Sequence, residues 1–209
     1  MNKLKKGCLI IFSGPSGAGK DTILKKVMEN KDNLKLSISH TTRLPRRDEV
    51  NGKSYYFVSE KEFLEMVENG EMLEYATYCG NYYGTSAVKV NNELEKGNDV
   101  ILEIEVQGAE QIMKKIPNAL SIFVLPPSLS ELKRRLKNRG TDSDEVINCR
   151  VKEAKNEIAL ACNYDYVIIN DDVEKSAEKV LKIIELQEMK FQNMKHMIDE
   201  VLNNEKTIS

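Results

Sequence analysis

An α/β fold, with a central parallel sheet covered by helices on both faces, is what this sequence predicts, and three observations predict it. Residues 8–22, C-L-I-I-F-S-G-P-S-G-A-G-K-D-T, join an apolar run to a Gly-rich turn, and a helical pattern follows with Ile23, Leu24 and Val27 on one face. A run without polar alternation marks a strand buried on both sides, as in parallel sheets. From residue 86 to 172, strand-like runs and helical runs alternate, the rhythm of βα units. Residues from about 43 to 85 break that rhythm with short strand-like runs, Pro45 and Gly52. They read as a small β-rich insert.

The elements follow in order. After the helix behind residue 22, residues 34–39 form a second short strand pattern, leading into a polar, basic loop that closes on a strand at 55–58. Ser59 and Glu62 make a capping box for a helix carrying Phe63, Met66 and Val67, stopped at Asn69-Gly70. Two strand-like runs, 71–79 and 82–85, flank the turn Gly80-Asn81. A helix over 86–96 ends at Gly97, a strand covers 100–106, a helix 109–115 and a strand 120–125. Pro126-Pro127 breaks the chain, and Ser128 with Glu131 caps a helix ending in R-R-L-K-N-R-G. A polar stretch then leads into a helix bearing Arg150, and 164–169 is the last strand. One long helix is expected over 173–204, with Ala177, Val180, Leu181 and Ile184 on a face that resumes at Phe191, Met194, Ile198 and Val201. Its second half is a candidate self-association surface, which would make the protein a homodimer.

At 209 residues, 41% of them hydrophobic, the chain suits one globular domain with an insert or lid. A formal net charge of −2 gives no electrostatic reason to expect nucleic acid or a membrane surface as partner. Cys8, Cys79, Cys149 and Cys162 are scattered without metal-ligand spacing, as in reduced cytosolic proteins. Lys3, Lys5 and Lys6 precede an apolar run too short for a signal peptide, and no stretch is long enough to span a bilayer. A cytoplasmic location is expected.

The chemistry begins at the Gly-rich turn, where Gly14, Gly19 and Lys20 fit G-x-x-x-x-G-K. Glycines let backbone N–H groups curl around phosphate oxygens, the helix N-terminus adds its positive end, and the lysine reaches the outer phosphates. Gly14, Pro15, Ser16, Gly17, Ala18, Gly19, Lys20, Asp21 and Thr22 therefore form the candidate phosphate-binding loop. The plain alternative is a Gly-rich strand-to-helix turn, and the strand before it and helix after it favour the phosphate loop. Asp21 departs from the pattern, standing where Ser or Thr normally supplies a magnesium-binding hydroxyl.

A second match lies at residues 37–58. S-I-S-H-T-T-R-L-P-R-R-D-E-V-N-G-K-S-Y-Y-F-V strongly resembles the nucleoside-monophosphate site of the guanylate kinase family. With the phosphate loop, E-Y-A-T-Y-C-G-N-Y-Y-G-T at 74–85, R-R-L-K-N-R-G at 134–140 and V-I-I-N-D-D at 167–172, the resemblance extends over residues 7–172 in the family's order and spacing. It implies a P-loop kinase with a core at about 1–42, 86–138 and 162–209, a GMP-binding insert at 43–85 and a helical lid at 139–161. It further implies that Ser39, Arg43, Arg46, Tyr55, Glu74, Tyr83 and Thr85 bind GMP, joined by Glu103 and Glu105. Read physically, Arg43 and Arg46 can clamp a phosphate bidentately, Tyr55 and Tyr83 can add hydroxyl donors, and a carboxylate such as Glu74 can accept from guanine. Lys20 and Arg43, with Arg135, Arg139 and Arg150 as lid cations, would neutralise charge on the transferring phosphoryl group. Asn170 resembles an adenine-side contact. Alone, each of these residues reads equally as an exposed arginine, a core tyrosine or a solvated glutamate.

Five positions depart from the family pattern. Asp21 replaces the hydroxyl, and Glu103 and Glu105 stand where the family carries aspartates; Asp48 and Ser54 replace a common glycine and a common aspartate. The resemblance implies an ATP:GMP phosphotransferase using Mg²⁺, with Asp21 as a candidate metal ligand. Two alternatives stay open. Asp after the loop lysine also occurs in ribose 1,5-bisphosphate phosphokinases, and guanylate-kinase-like modules of scaffold proteins bind partners without catalysis.

Overall fold

The computed structural model of the chain describes residues 6–78, 80–138 and 143–204. Its first half runs β1 (Leu9–Ser13), α1 (Lys20–Met28), β2 (Leu34–Leu36), β3 (His40–Thr41), β4 (Tyr56–Phe57), α2 (Glu60–Glu68), β5 (Met72–Tyr78) and β6 (Asn81–Ser86). Then come α3 (Ala87–Glu95), β7 (Asp99–Glu103), α4 (Val106–Lys115), β8 (Leu120–Leu125) and α5 (Leu129–Asn138). The last elements are α6 (Asp144–Ala159), a 3₁₀ turn (Leu160–Asn163), β9 (Tyr166–Ile169), α7 (Val173–Glu188) and α8 (Phe191–Asn204).

Five strands pair in the order β2-β7-β1-β8-β9, every neighbour parallel. β1 is buried along its whole length because both its faces are covered. Ile10 and Phe12 pack with Ile23, Leu24 and Val27 of α1 and Ala177, Val180 and Ile184 of α7. Leu9 and Ile11 pack with Val90 and Leu94 of α3 and Ala109 and Ile112 of α4. That two-residue alternation between two apolar layers is why the strand reads as an unbroken apolar run. The chain leaves β1 toward β2 and β7 on one side and later fills β8 and β9 on the other. The strand order therefore reverses beside the carboxyl end of β1, where open α/β sheets bind ligands.

The insert forms its own four-stranded sheet, β4-β3-β6-β5. β3 runs parallel to β4, while β6 is antiparallel to both β3 and β5. α2 covers it through Phe63, fully buried and stacked on Tyr82 at 5.4 Å. The capping box forms as the sequence predicts: Glu62 N–H donates to Ser59 Oγ, and the Glu62 carboxylate accepts from Ser59 N–H.

Several expected elements differ. The strand expected over 34–39 ends at Leu36, and the helix expected over 109–115 already starts at Val106. The strand expected over 100–106 stops at Glu103, because Glu105 becomes the N-cap of α4 and Val106 its first residue. The strand expected from 164 starts at Tyr166, since Leu160–Asn163 coil into the 3₁₀ turn and the Asp165 carboxylate accepts from the Ser121 N–H and hydroxyl. The single C-terminal helix is two helices. Gln187 is buried, its carbonyl accepts from Asn193 Nδ2, and Glu188 pairs with Lys31 at 2.6 Å, so the polar residues that interrupt the apolar face hold the break. On α8, Met197, Ile198, Val201 and Leu202 are exposed. No described helix is long and apolar enough to cross a membrane.

Candidate active site

The Gly-rich turn leaves β1 and enters α1 with a geometry that only glycine permits. Gly14 has φ +144°, and a Cβ there would lie 2.3 Å from the Val124 carbonyl oxygen. Gly19, at φ +92°, is the N-cap of α1 and offers no side-chain cap, so the first N–H groups of the helix remain for an anion. Lys20 folds over this loop: Nζ donates to the Gly14 carbonyl at 2.6 Å and the Pro15 carbonyl at 3.4 Å. Asn170, just beyond β9, donates from Nδ2 to the Ala18 carbonyl at 2.7 Å. Arg135 of α5 donates to Ala18 O at 3.0 Å, to Asn170 O at 2.9 Å and to Glu131 at 2.8 Å. Arg135 and Asn170 thus brace the loop, and neither lines the cleft beside it.

That cleft measures about 540 Å³. It runs from Ser16, Gly17, Gly19, Lys20 and Asp21 to Ser39, Arg43, Arg46, Tyr55, Glu74 and Tyr83, and takes in Glu103, Glu105 and Arg150. The two halves come from different sheets. The phosphate loop follows a strand of the core, whereas Ser39 and Arg43 flank β3, Glu74 lies on β5 and Tyr83 on β6. Thr85 sits behind Glu74. Gly14, Pro15, Ala18 and Thr22 belong to the loop or α1 but do not line the cleft, and Arg139 lies outside the described residues.

Glu74 and Thr85 face each other across the antiparallel β5–β6 pair, and Thr85 Oγ1 donates to Glu74 Oε1 at 2.6 Å. A register shift between Met72 and Glu74 re-aims the strand at this point. Only 3% of Glu74 is exposed. Burial pushes its carboxyl up to about 7, against the lowering effects of the Thr85 bond and Lys115. Arg43 is held from three directions. It donates to both Glu49 oxygens at 2.7 and 2.9 Å, donates to the Leu44 carbonyl at 2.8 Å and lies 5.5 Å over the Tyr55 ring. Burial also lifts the Tyr55 hydroxyl to about 12.

Between the two halves lies an acidic group. Burial lifts Glu103 to about 8, and a hydrogen bond with Asp21 and the Asp21 charge add to it, with Lys20 pulling the other way. Burial and the Glu105 charge raise Glu157 of α6 to about 7. No cluster of three or more His, Cys, Asp or Glu side chains among the described residues could hold a metal ion unaided. Mg²⁺ does not need one, since it is commonly held by one or two carboxylates together with phosphate oxygens and water. The exposed Asp21 carboxylate, on the cleft wall and next to Lys20, fits that role.

Sequence reasoning missed Glu49, which lines the cleft and pairs with Arg43; it stands six residues after Arg43 in a polar loop and carried no spacing signal.

The guanylate kinase family profile matches residues 6–187. The chain belongs to the guanylate kinase family. A guanylate kinase of Lactococcus lactis is 52% identical over 201 residues, covering 94% of this chain and 98% of that relative. One from Streptococcus pneumoniae is 53% identical over 183 residues, covering 87% and 88%. Among solved structures, the guanylate kinase of Anaplasma phagocytophilum superposes with a TM-score of 0.75 at 37% identity, covering 89% of this chain and 88% of that one. The family fold, a five-stranded parallel sheet joined by a four-stranded mixed sheet, is the one described above.

Proposed function

We propose that the cleft transfers the γ-phosphoryl group of ATP to GMP, giving ADP and GDP. The observation that carries this reading is the buried Glu74–Thr85 pair, set in one cleft with the phosphate loop. Guanine presents N1–H and an exocyclic amine, two donors that need an acceptor, and Glu74 supplies it once ionised. Ser39 completes recognition of the base, and Thr85 acts through its hydrogen bond to Glu74. Arg43, Arg46, Tyr55 and Tyr83 take the GMP phosphate; the loop backbone and Lys20 take the ATP phosphates. The GMP phosphate oxygen is the nucleophile. Its second pKa is about 6, so it is ionised near neutral pH and needs no general base. Catalysis is then alignment and charge neutralisation by Lys20, Arg43 and Arg150, with Arg139 joining from the segment that follows α5. Arg135 acts by holding the loop in shape. The insert at 43–85 and the lid at 139–161 close over both substrates and exclude water.

Mg²⁺ would be held by Asp21 together with phosphate oxygens, and when bound it neutralises charge on the outer phosphates. The Asp21 carboxylate brings negative charge toward ATP, which Lys20 offsets. A cytoplasmic location belongs to the same reading.

A sugar-phosphate kinase would have no use for a buried acceptor shaped to a base, and a non-catalytic module would have no use for an intact loop lysine. One coupled ADP-release assay separates these readings. GMP should be the best acceptor, with AMP and ribose 1,5-bisphosphate poor, and Asp21→Ser should flatten the Mg²⁺ dependence. Equal turnover of AMP and GMP would remove the base assignment. Preferred turnover of the sugar phosphate would replace the reading, and identical Mg²⁺ dependence in Asp21→Ser would remove Asp21 from the metal.

A further inference from the structure

Glu74 meets the core at Gly108 of α4. A Cβ on Gly108 would lie 2.2 Å from Glu74 Oε2 and 2.9 Å from its carboxyl carbon. The backbone does not call for glycine there. Gly108 is the third residue of α4 and is not among the positive-φ glycines, and alanine is the better helix former at such a position. What needs the missing methyl is the carboxylate.

This contact is part of a seam. Gly108, Gln111 and Lys115 are spaced three and then four residues apart and so share one face of α4. Gln111 accepts from the Tyr75 N–H at 3.3 Å and donates to the Tyr75 carbonyl at 2.6 Å, and Lys115 donates to the Leu73 carbonyl at 2.7 Å. The main chain on either side of Glu74 is therefore tied to α4, and the Glu74 carboxylate fills the gap that Gly108 leaves in the same face. That gap lies in the first turn of α4, whose N-cap Glu105 offers no side-chain cap, so the carboxylate sits at the positive end of the helix.

We propose that Gly108 is a positioning residue for guanine recognition: by leaving room for the Glu74 carboxylate against α4, it fixes the acceptor that guanine meets. The inference rests on Glu74 reading the base. A methyl at 108 would meet the far end of a flexible side chain, so the fold accommodates it by turning Glu74 aside. The loss falls on base recognition, and the phosphate loop is spared.

The test is steady-state kinetics of Gly108→Ala with GMP and with IMP, which lacks the exocyclic amine, together with the KM for ATP and the Tm. The preference for GMP over IMP in kcat/KM should fall at least tenfold, with the ATP KM within twofold of the natural protein and the Tm not lowered. Glu74→Ala should lose the same preference, and the double variant should lose no more than either single one. If Gly108→Ala keeps the preference while Glu74→Ala loses it, the inference is overturned and the guanine reading stands. An equal loss with both acceptors and a lowered Tm would also overturn it, since a merely structural role predicts that pattern. A preference unchanged in Glu74→Ala would overturn the guanine reading itself and this inference with it.

Discussion

In the phosphate loop, the groups offered to a ligand are mostly backbone N–H groups and one lysine, held by a strand buried on both faces and braced by Arg135 and Asn170. Across the cleft, the groups are side chains from β5, β6 and the loops around β3, and two of them are held by other side chains: Glu74 by Thr85, Arg43 by Glu49. Phosphate is the same in every nucleotide, so a backbone cradle suffices for it. A base has its own pattern of donors and acceptors, so reading it requires placed side chains. The contrast says that damage to one half should leave the other half's ligand bound.

The largest effect should come from Lys20→Ala. Removing the loop's only lysine should lower kcat about 10²- to 10³-fold in an ADP-release assay, while the KM for GMP stays near that of the natural protein. A matching rise in the GMP KM would blur the division. Arg43→Ala should act on the other half, raising the GMP KM roughly 10- to 150-fold through loss of a charge-assisted hydrogen bond of about 1.5–3 kcal/mol. Unchanged GMP kinetics in that variant would remove Arg43 from the site.

A smaller effect follows from Glu74, which burial holds up to about 7. Guanine needs the ionised carboxylate. Below pH 7 the free site carries a proton that GMP must displace, so the GMP KM should rise toward tenfold per pH unit as pH falls, and level off above pH 7. Titration of the nucleotide phosphates is common to all variants, so Glu74→Gln measured alongside isolates this slope. A slope that survives in Glu74→Gln belongs to another group.

How much of this was legible in the sequence divides along the same line. The phosphate loop could be read directly because its residues are consecutive and backbone geometry dictates them: glycine at 14 and 19 follows from positive φ. The helix caps at Ser59 and Ser128 could be read because they are local. Ser39, Arg43, Glu74 and Tyr83 carried no such signal alone, and only their joint resemblance to a family pattern picked them out. Nor could the partners that hold them be found: Glu49 reaches Arg43 only once the loop they share folds back on itself, and Gly108 meets Glu74 only when α4 packs against β5. The break between α7 and α8 was missed because Gln187 and Glu188 read as an interruption of one face, when buried and paired contacts make them the end of a helix.

Calorimetric titration of ATP and of GMP into Glu74→Ala tests the central claim, two separately built halves with guanine read by one buried carboxylate, most directly. GMP binding should weaken at least tenfold while ATP binding stays within twofold of the natural protein. Loss of both ligands together, or GMP binding left intact, would contradict it.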